Sequence, residues 1–335
     1  MRPFKYSSSS TIPSALKLVN ENKLAKFLAG GTNIIDLMKE DVEQPNELVD
    51  INLLKLTQIK VISDGVNKGG VSIGALGKNT ELANHEIIRI QYPLLSQAIL
   101  AGASAQIRNM ASNGGNLLQR TRCSYFYDVA MPCNKRNPGS GCGALEGINR
   151  MHAIFGWSEK CVAVFPSDMA VALSALDAVV IVQMNGGLQR SISFSDFYRL
   201  PGENPEKDKT LNQGELITSI EIPKSKFSNN SYYLKVRDRA SYAFALVSVG
   251  AGLEIENNKI VNARIALGGV AHKPWRALFA EKMLIGKQPS EANFKAAADA
   301  EMEQAKPLEY NKFKIELGKR GITRALYMAM NNGSN

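Results

Sequence analysis

All four cysteines of this chain fall within one window of 39 residues, and no other feature of the sequence constrains its fold as strongly. They are Cys123, Cys133, Cys142 and Cys161, separated by nine, eight and eighteen residues. The residues between them are rich in proline, glycine and asparagine, a composition typical of loops that wrap around a bound group. We therefore expect the cysteines to share one ligand, because unrelated cysteines would be spread along the chain.

Four thiolates without a histidine ligand are typical of an iron–sulfur cluster. Zinc is the second choice, since the window has no Cys-x-x-Cys pair of the kind that zinc ribbons and fingers use. Basic residues outnumber acidic ones here, which suits the net negative charge of a cluster. Two disulfides and unpaired structural cysteines are the remaining alternatives. The chain is too large to need disulfides for stability, and the clustering argues against unpaired cysteines.

Length and composition exclude several classes of protein. With 335 residues, 44% of them hydrophobic, the chain can bury a sizeable core and divides into two or three compact units. Its net charge of +9 is dispersed, so an acidic partner protein or an anionic cofactor explains it better than nucleic acid does. No apolar run approaches the ~20 residues of a membrane span, and the N-terminus lacks the apolar core of a signal peptide. We expect neither a membrane span nor self-directed export.

A phosphate-binding layout is predicted near the N-terminus. Residues 25–29 form a short buried strand pattern, residues 30–33 (Gly-Gly-Thr-Asn) form a sharp turn, and residues 34–38 have helical spacing. Paired glycines let backbone N–H groups approach an anion, and the N-terminus of the following helix adds a positive dipole end. The motif is neither a Walker A loop nor a dinucleotide fingerprint of the G-x-G-x-x-G type.

A second glycine turn, residues 111–116, follows a helical pattern at residues 92–102. Two such loops in one domain predict that a diphosphate, such as that of FAD, is held from both sides. After the cysteine window, Asp168 precedes an apolar helical pattern at residues 169–176. It is placed either to accept hydrogen bonds from ribose hydroxyls or to cap that helix.

The rest of the chain predicts a mixed architecture, with a domain boundary at the polar segment 224–230. Before this boundary, strands are predicted at residues 47–51, 71–75, 178–182, 191–194 and 216–222. Beyond it, strands are predicted at residues 233–236, 244–255 and 260–267, and helices at residues 275–285, 290–304 and 310–330. Helix starts are expected at Thr11 and Ser290. Lys235 lies in a basic segment flanked by aromatic residues, which predicts either a cation facing a flavin or an exposed strand end.

Four motifs, taken in order, resemble the FAD-binding medium subunits of the xanthine dehydrogenase, or molybdenum hydroxylase, family. They are Leu-Ala-Gly-Gly-Thr-Asn at residues 28–33, Ile-Arg-Asn-Met-Ala-Ser-Asn-Gly-Gly-Asn at residues 107–116, Pro-Ser-Asp at residues 166–168, and the strand at residues 215–223. The resemblance covers nearly the whole chain. It implies an α+β protein with a two-lobed FAD-binding domain of PCMH/VAO type at residues 1–223, followed by a small α+β domain of the CO dehydrogenase flavoprotein type at residues 230–335. The lobes would span residues 1–55 and 56–223.

One departure from the family pattern restricts the resemblance to a smaller group of its members. Most members have the Gly-Gly-Asn loop and the Ser-Asp pair a few residues apart, whereas here the cysteine insertion, residues 120–162, separates Asn116 from Ser167. Residues 122–127, 132–136 and 235–242 are similar to the flavin subunit of bacterial periplasmic aldehyde oxidoreductases. That similarity implies an extra [4Fe–4S] cluster in the insertion.

The resemblance also implies which residues hold FAD. The two glycine loops would hold the pyrophosphate, Asp168 would contact the adenosine ribose, and Ile217 and Lys235 would lie near the flavin. The full implied set is Lys26, Phe27, Leu28, Ala29, Gly30, Gly31, Thr32, Asn33, Ile34, Ala101, Ser112, Gly115, Asn116, Ser167, Asp168, Ile217 and Lys235. No catalytic acid or base is expected on this chain, because the cofactors carry the chemistry.

The function implied is electron transfer within a heterotrimer. A large subunit with molybdenum cofactor would oxidise an aldehyde, a small subunit would carry electrons through [2Fe–2S] clusters, and FAD on this chain would pass them to an external acceptor. The alternatives are the flavin subunit of a xanthine dehydrogenase or of an aromatic thioester (hydroxybenzoyl-CoA type) reductase, or a scaffold that has lost its cofactors. The resemblance implies the periplasm, reached by export with a signal-bearing partner, and the cytoplasm is the alternative.

Overall fold

The computed structural model describes residues 1–332 and begins with a small parallel sheet. Its elements are β1 (Lys5–Ser8), α1 (Ile12–Glu21), β2 (Ala25–Leu28), α2 (Ile34–Lys39) and β3 (Glu47–Asp50). The central strand β3 pairs in parallel with β1 and β2. We call residues 1–50 the first lobe.

The second lobe is built on a five-stranded antiparallel sheet with the order β4-β5-β8-β6-β7. Its elements are β4 (Ile59–Val61), β5 (Val71–Gly74), α3 (Asn79–Asn84), α4 (Glu86–Gln91), α5 (Pro93–Ala101), α6 (Ala105–Met110), α7 (Asn113–Leu118), α8 (Ser124–Tyr127), α9 (Gly143–Glu146), α10 (Asp168–Ala175), β6 (Val179–Gln183), β7 (Gln189–Ser193), α11 (Phe194–Phe197) and β8 (Leu216–Ile222). Every residue of α10 is buried, so this helix lies at the centre of the molecule.

The third unit is a four-stranded antiparallel sheet, in the order β12-β11-β10-β9, with three helices. Its elements are β9 (Ser231–Val236), β10 (Val247–Glu256), β11 (Lys259–Gly268), β12 (Trp275–Arg276), α12 (Leu278–Leu284), α13 (Glu291–Met302) and α14 (Phe313–Asn332). Helix α14 packs closely on β10, because a Cβ on Gly321 would lie 3.4 Å from Val249. The sheet also contacts α5 and α10, so it lies between the third unit's own helices and the second lobe.

The structure confirms most of the predicted elements. Helix α1 begins after Thr11, whose side chain accepts a hydrogen bond from the Ser14 N–H, and α13 begins after Ser290, which accepts one from Asn293. Strand β8 has the predicted bounds, residues 216–222. The predicted strand, glycine turn and helix at residues 25–38 are also present.

Three local predictions were wrong. Residues 275–285 do not form one helix, because Trp275 and Arg276 pair with β11 and the helix begins only at Leu278. The strand predicted from residue 244 begins at Val247. The second glycine motif is not a free turn, since its glycines lie in the first turn of α7. The bounds of these three elements depend on long-range strand pairing and on helix capping, and neither can be read from local periodicity.

Glu301 provides a test of the packing in the third unit. Its buried carboxylate accepts hydrogen bonds from the Trp275 indole N–H (2.8 Å) and from the backbone N–H groups of Phe279 (3.0 Å) and Ala280 (3.3 Å). Glu301→Ala leaves these donors unpaired, and we expect it to lower the free energy of unfolding by about 3 kcal/mol. Urea unfolding followed by tryptophan fluorescence measures the loss. Glu301→Gln keeps one acceptor oxygen and should lose less, whereas equal losses in the two variants would contradict this account.

Candidate functional site

The first glycine loop, residues 30–33, lies against the end of α6. A Cβ on Gly30 would lie 2.0 Å from the carbonyl oxygen of Met110, so only glycine allows this approach. Gly31 has φ +73°, in the left-handed region that favours glycine. The loop therefore packs directly beside the backbone that leads into the second glycine motif.

The second glycine motif begins helix α7. The Ser112 hydroxyl caps the helix by accepting a hydrogen bond from the Gly115 N–H at 3.2 Å. A Cβ on Gly115 would lie 2.7 Å from this hydroxyl, and one on Gly114 would lie 3.0 Å from Ala75. Both glycines thus pack closely against their neighbours, and the start of α7 adjoins the first loop.

The Ser-Asp pair joins the two loops despite the insertion that separates it from them in sequence. The Ser167 hydroxyl donates a 2.6 Å hydrogen bond to the Asn116 side chain and accepts one from the Ala170 N–H. Ser167 is therefore the N-cap of α10, and the interpretation of Asp168 as the cap was wrong. The two ends of the cysteine insertion lie close together, because the Thr121 hydroxyl donates a 2.9 Å hydrogen bond to the Val164 carbonyl.

Two adjoining cavities follow the glycine loops. One, of about 700 Å³, is lined by Lys26, Phe27, Ala29, Gly30, Gly31, Thr32, Asn33, Ile34, Ser112, Gly115 and Ile217 among others. The other, of about 540 Å³, shares Thr32, Asn33 and Gly115 with it and extends past Asn116 to Ser167 and Asp168. Together they form an elongated space, as an extended dinucleotide requires. Three of the expected contact residues lie outside the walls of both cavities: Leu28, Ala101 and Lys235.

Within the described residues, the side chain of Asn33 has an unpaired hydrogen-bond donor at this site. Its side-chain oxygen accepts a 3.0 Å hydrogen bond from the Arg120 N–H. Its buried side-chain nitrogen has no hydrogen-bond partner among the described residues. A buried donor left unpaired is costly, so an acceptor from a ligand in the cavity fits this position.

Asp168 and Lys235 form a buried ion pair. The Lys235 Nζ lies 2.8 Å from the Asp168 carboxylate and also donates to the Ala101 carbonyl, and the Tyr233 hydroxyl donates to the other carboxylate oxygen at 2.6 Å. Burial, with the nearby Asp168 charge, raises the pKa of Tyr233 well above its ordinary value. Lys235 thus acts on the cavity through Asp168. Because Ile217 lines the other cavity, Ile217 and Lys235 lie at different ends of the site.

The cysteine insertion is held against both lobes by a second ion network. The Arg120 guanidinium contacts Glu43 at 2.8 Å and Asp208 at 2.9 Å. Lys135, which lies between Cys133 and Cys142 in sequence and is buried, also pairs with Asp208 and donates to the Pro205 carbonyl. The insertion is therefore a packed part of the fold.

The four cysteines are thiols that lie near one another. Cys133 and Cys142 face each other across an antiparallel bridge. Burial, together with the nearby Cys161 and Cys133, raises the pKa of Cys123 to about 12. Burial, with a smaller contribution from Cys142 and Cys133, raises the pKa of Cys161 to about 11, and Lys135 opposes this rise. Neighbouring cysteines thus disfavour the ionisation of Cys123 and of Cys161.

Within residues 1–332, no three histidine, cysteine, aspartate or glutamate side chains lie close enough together to hold a single metal ion. Four free cysteines are the donor set that a [4Fe–4S] cluster requires. Burial raises the pKa of Cys123 and Cys161, and part of this rise is opposed by the backbone N–H groups of Tyr125, Phe126 and Ala163 and by the Lys135 cation. Such donors and cations stabilise a negatively charged cluster.

A third cavity, of about 410 Å³, lies between Cys123 and the elongated site. It is lined by Cys123 and His152 at one side and by Pro166, Ser167 and Asp168 at the other. The last three residues also line the 540 Å³ cavity, so the two sites adjoin.

Sequence reasoning missed Asp208 and His152. Asp208 has no local signature, since its partners are far away in sequence. His152 did carry a signal, because the chain has only three histidines and this one lies inside the cysteine window.

Known proteins support a flavin site. Residues 2–225 match the family described as FAD binding domain in molybdopterin dehydrogenase, and residues 232–327 match the CO dehydrogenase flavoprotein C-terminal domain. The aldehyde oxidoreductase FAD-binding subunit PaoB of Escherichia coli is 48% identical over 97% of this chain and 98% of its own length. The glyceraldehyde dehydrogenase medium chain of Sulfolobus acidocaldarius is 29% identical over 91% of this chain and 89% of its own length.

The carbon monoxide dehydrogenase structure from Hydrogenophaga pseudoflava has the same fold. It superposes with a TM-score of 0.76 over 99% of this chain and 98% of that chain, at 23% identity. Fold, cavity and family matches together define a flavoprotein subunit of an oxidoreductase. The chain belongs to the FAD-binding medium subunits of the molybdenum hydroxylases. Among residues 1–332, no helix combines the length and the apolar character needed to cross a bilayer.

The Asp208 network predicts a pH dependence of stability. Burial alone would raise the pKa of the Asp208 carboxyl, but Lys135, Lys209 and Arg120 outweigh burial and hold the pKa well below its ordinary range. Its contribution is therefore full above the unfolded pKa of about 3.9 and is lost as the pH falls below that value. At pH 7 we expect Asp208→Asn to lower the free energy of unfolding by about 3 kcal/mol, because the cations lose their counter-charge.

Thermal unfolding of the wild type and Asp208→Asn from pH 7 down to pH 2 measures this effect, and the difference between them should shrink below pH ~4. Asp64→Asn, at an exposed position between β4 and β5, is the matched control and should follow the wild type at every pH. A difference that stays constant from pH 7 to pH 2 would rule out the charge interaction as its cause.

Proposed function

We propose that this chain is the electron-transfer subunit, carrying FAD and a [4Fe–4S] cluster, of a molybdenum-dependent aldehyde oxidoreductase. The observation that carries the proposal is the elongated cavity between two glycine loops, which adjoins a third cavity lined by Cys123, one of the four clustered cysteines. The aldehyde specificity is supported by the 48% identity with an aldehyde oxidoreductase subunit. When bound, the two cofactors supply the redox chemistry, and this chain binds and orients them.

We infer that the pyrophosphate of FAD lies between residues 26–34 and residues 112–116. The backbone N–H groups of the first glycine loop and the free Asn33 donor offer hydrogen bonds to an anion there. One end of FAD would then lie by Ile217, and the other by Asp168 with Lys235 and Ala101 behind it. Leu28 is the last residue of β2, and in this proposal it supports the first glycine loop.

The partners we propose are a molybdenum-cofactor large subunit and a [2Fe–2S] small subunit, in a heterotrimer with an external electron acceptor. The names of two relatives, one an FAD-binding subunit and the other a medium chain, support an assembly of several subunits.

We propose the periplasm as the compartment, reached together with a signal-bearing partner, with the cytoplasm as the alternative. The flavin subunit of a xanthine dehydrogenase is the second candidate, but the relative of that description is only 24% identical. Turnover of aldehydes compared with purines by the purified complex separates the two.

Gly31→Val tests the FAD loop. The side chain would enter the first loop at φ +73° and 3.3 Å from Ile35, so we expect the complex to lose most of its FAD. Gly186→Val is the matched control, because Gly186 has φ +80° and open space around it, in the turn between β6 and β7. Both substitutions cost similar backbone strain, but only the first should release FAD, measured by flavin absorbance per complex. Full FAD occupancy in Gly31→Val would remove the loop from the proposed site.

Counting iron, acid-labile sulfide and FAD per complex tests the cofactors together. The iron of the partner's clusters is counted on the separated subunits and subtracted. We expect about four further irons and one FAD, and we expect Cys133→Ser to lose those irons because cluster binding and local folding are linked. Ser140→Ala, which removes only a hydroxyl that accepts a hydrogen bond from the Cys133 N–H, is the control and should keep them. FAD without the extra iron would refute the cluster and leave the flavin assignment standing.

A further inference from the structure

His152 lies inside the cysteine window and its ring contacts a cysteine directly. The Nε2 atom is 3.1 Å from the Sγ atom of Cys123, which is a hydrogen-bond distance for sulfur. The ring is buried, and it lines the cavity that adjoins the FAD site. The four cysteines already supply the thiolates that a [4Fe–4S] cluster needs, so the histidine is left free to act as a donor.

The chemistry of the sulfur decides which ring nitrogen carries the proton. A thiolate that binds iron can only accept, so Nε2 must donate to it. A proton on Nδ1 would instead place the Nε2 lone pair against the sulfur. The Nδ1 atom is buried and has no hydrogen-bond partner among residues 1–332, so no local group holds the proton there.

The third unit fixes the position of His152. Its backbone carbonyl accepts hydrogen bonds from Lys314 Nζ at 2.9 Å and from Asn311 Nδ2 at 3.2 Å. Both donors are fully buried near the start of α14. Its backbone N–H donates to the Asn149 carbonyl, and the Asn149 side chain in turn accepts from the Tyr310 N–H. The ring is therefore held at the sulfur by contacts from outside the insertion.

We propose that His152 is a positioning residue that donates its Nε2 proton to the Cys123 sulfur of the cluster and thereby raises the cluster's reduction potential. The inference rests on the proposed [4Fe–4S] cluster. Adding one electron makes the cluster more negative, and an N–H donor to a ligand sulfur stabilises that reduced state more than the oxidised one. Without this hydrogen bond, the cluster should be harder to reduce.

Redox titration of the purified complex, with the cluster followed by its EPR signal, tests this effect. We expect His152→Leu to keep its iron and to shift the one-electron reduction equilibrium about tenfold towards the oxidised state, which is about 59 mV in midpoint potential. His152→Gln keeps an N–H donor and should recover part of the shift. His85→Leu, a histidine between α3 and α4 and outside the insertion, should leave the potential unchanged.

Full iron with an unchanged potential in His152→Leu would overturn the inference while leaving the cluster itself established. A wild-type complex without the extra iron would overturn both proposals. If His152→Leu loses its iron, pulsed EPR of the wild type with ¹⁵N-labelled histidine decides. Weak nitrogen coupling to the reduced cluster supports the hydrogen bond, whereas no coupling, or the strong coupling of a directly bound nitrogen, refutes it.

Discussion

The buried ion network around Asp208 is the interaction on which the arrangement of the two sites depends. Arg120 and Lys135 come from the two sides of Cys133 in sequence, and both reach the same carboxylate. Arg120 also reaches Glu43 in the first lobe, and its backbone N–H holds Asn33 in the first glycine loop. Removing Asp208 would leave the Lys135 charge buried without its carboxylate, which is why such a network holds its parts in one geometry.

This geometry connects the cysteine insertion to the nucleotide site. The insertion interrupts the chain between the second glycine motif and the Ser-Asp pair, yet Ser167 still bonds to Asn116. A long insertion is tolerated where its ends lie close together, because closing the loop costs little more entropy as the loop lengthens. The cysteines can therefore be added to the flavoprotein fold without displacing its glycine loops.

The third unit contributes to both sites from one side. Strand β9 supplies Lys235 and Tyr233, which hold the Asp168 carboxylate, and the start of α14 supplies the donors that hold the His152 backbone. Lys314 is fully buried, no carboxylate among residues 1–332 pairs with it, and burial lowers its pKa to about 7. A lysine in such a position is costly, so its two carbonyl contacts are structurally important. The third unit thus helps to position residues of both sites.

Features that depend on local pattern could be predicted from the amino-acid sequence. These are the glycine loop after β2, the helix caps at Thr11 and Ser290 and the bounds of β8, because turn chemistry, capping and alternation act over a few residues. The ordered motifs also indicated the family. Three contacts are seen only in the folded chain: Asp168 pairs with Lys235, Trp275 joins β11, and His152 contacts Cys123. These contacts join residues 67, 8 and 29 positions apart, and they form because burial leaves a charge, a strand edge or a polar ring without water as a partner.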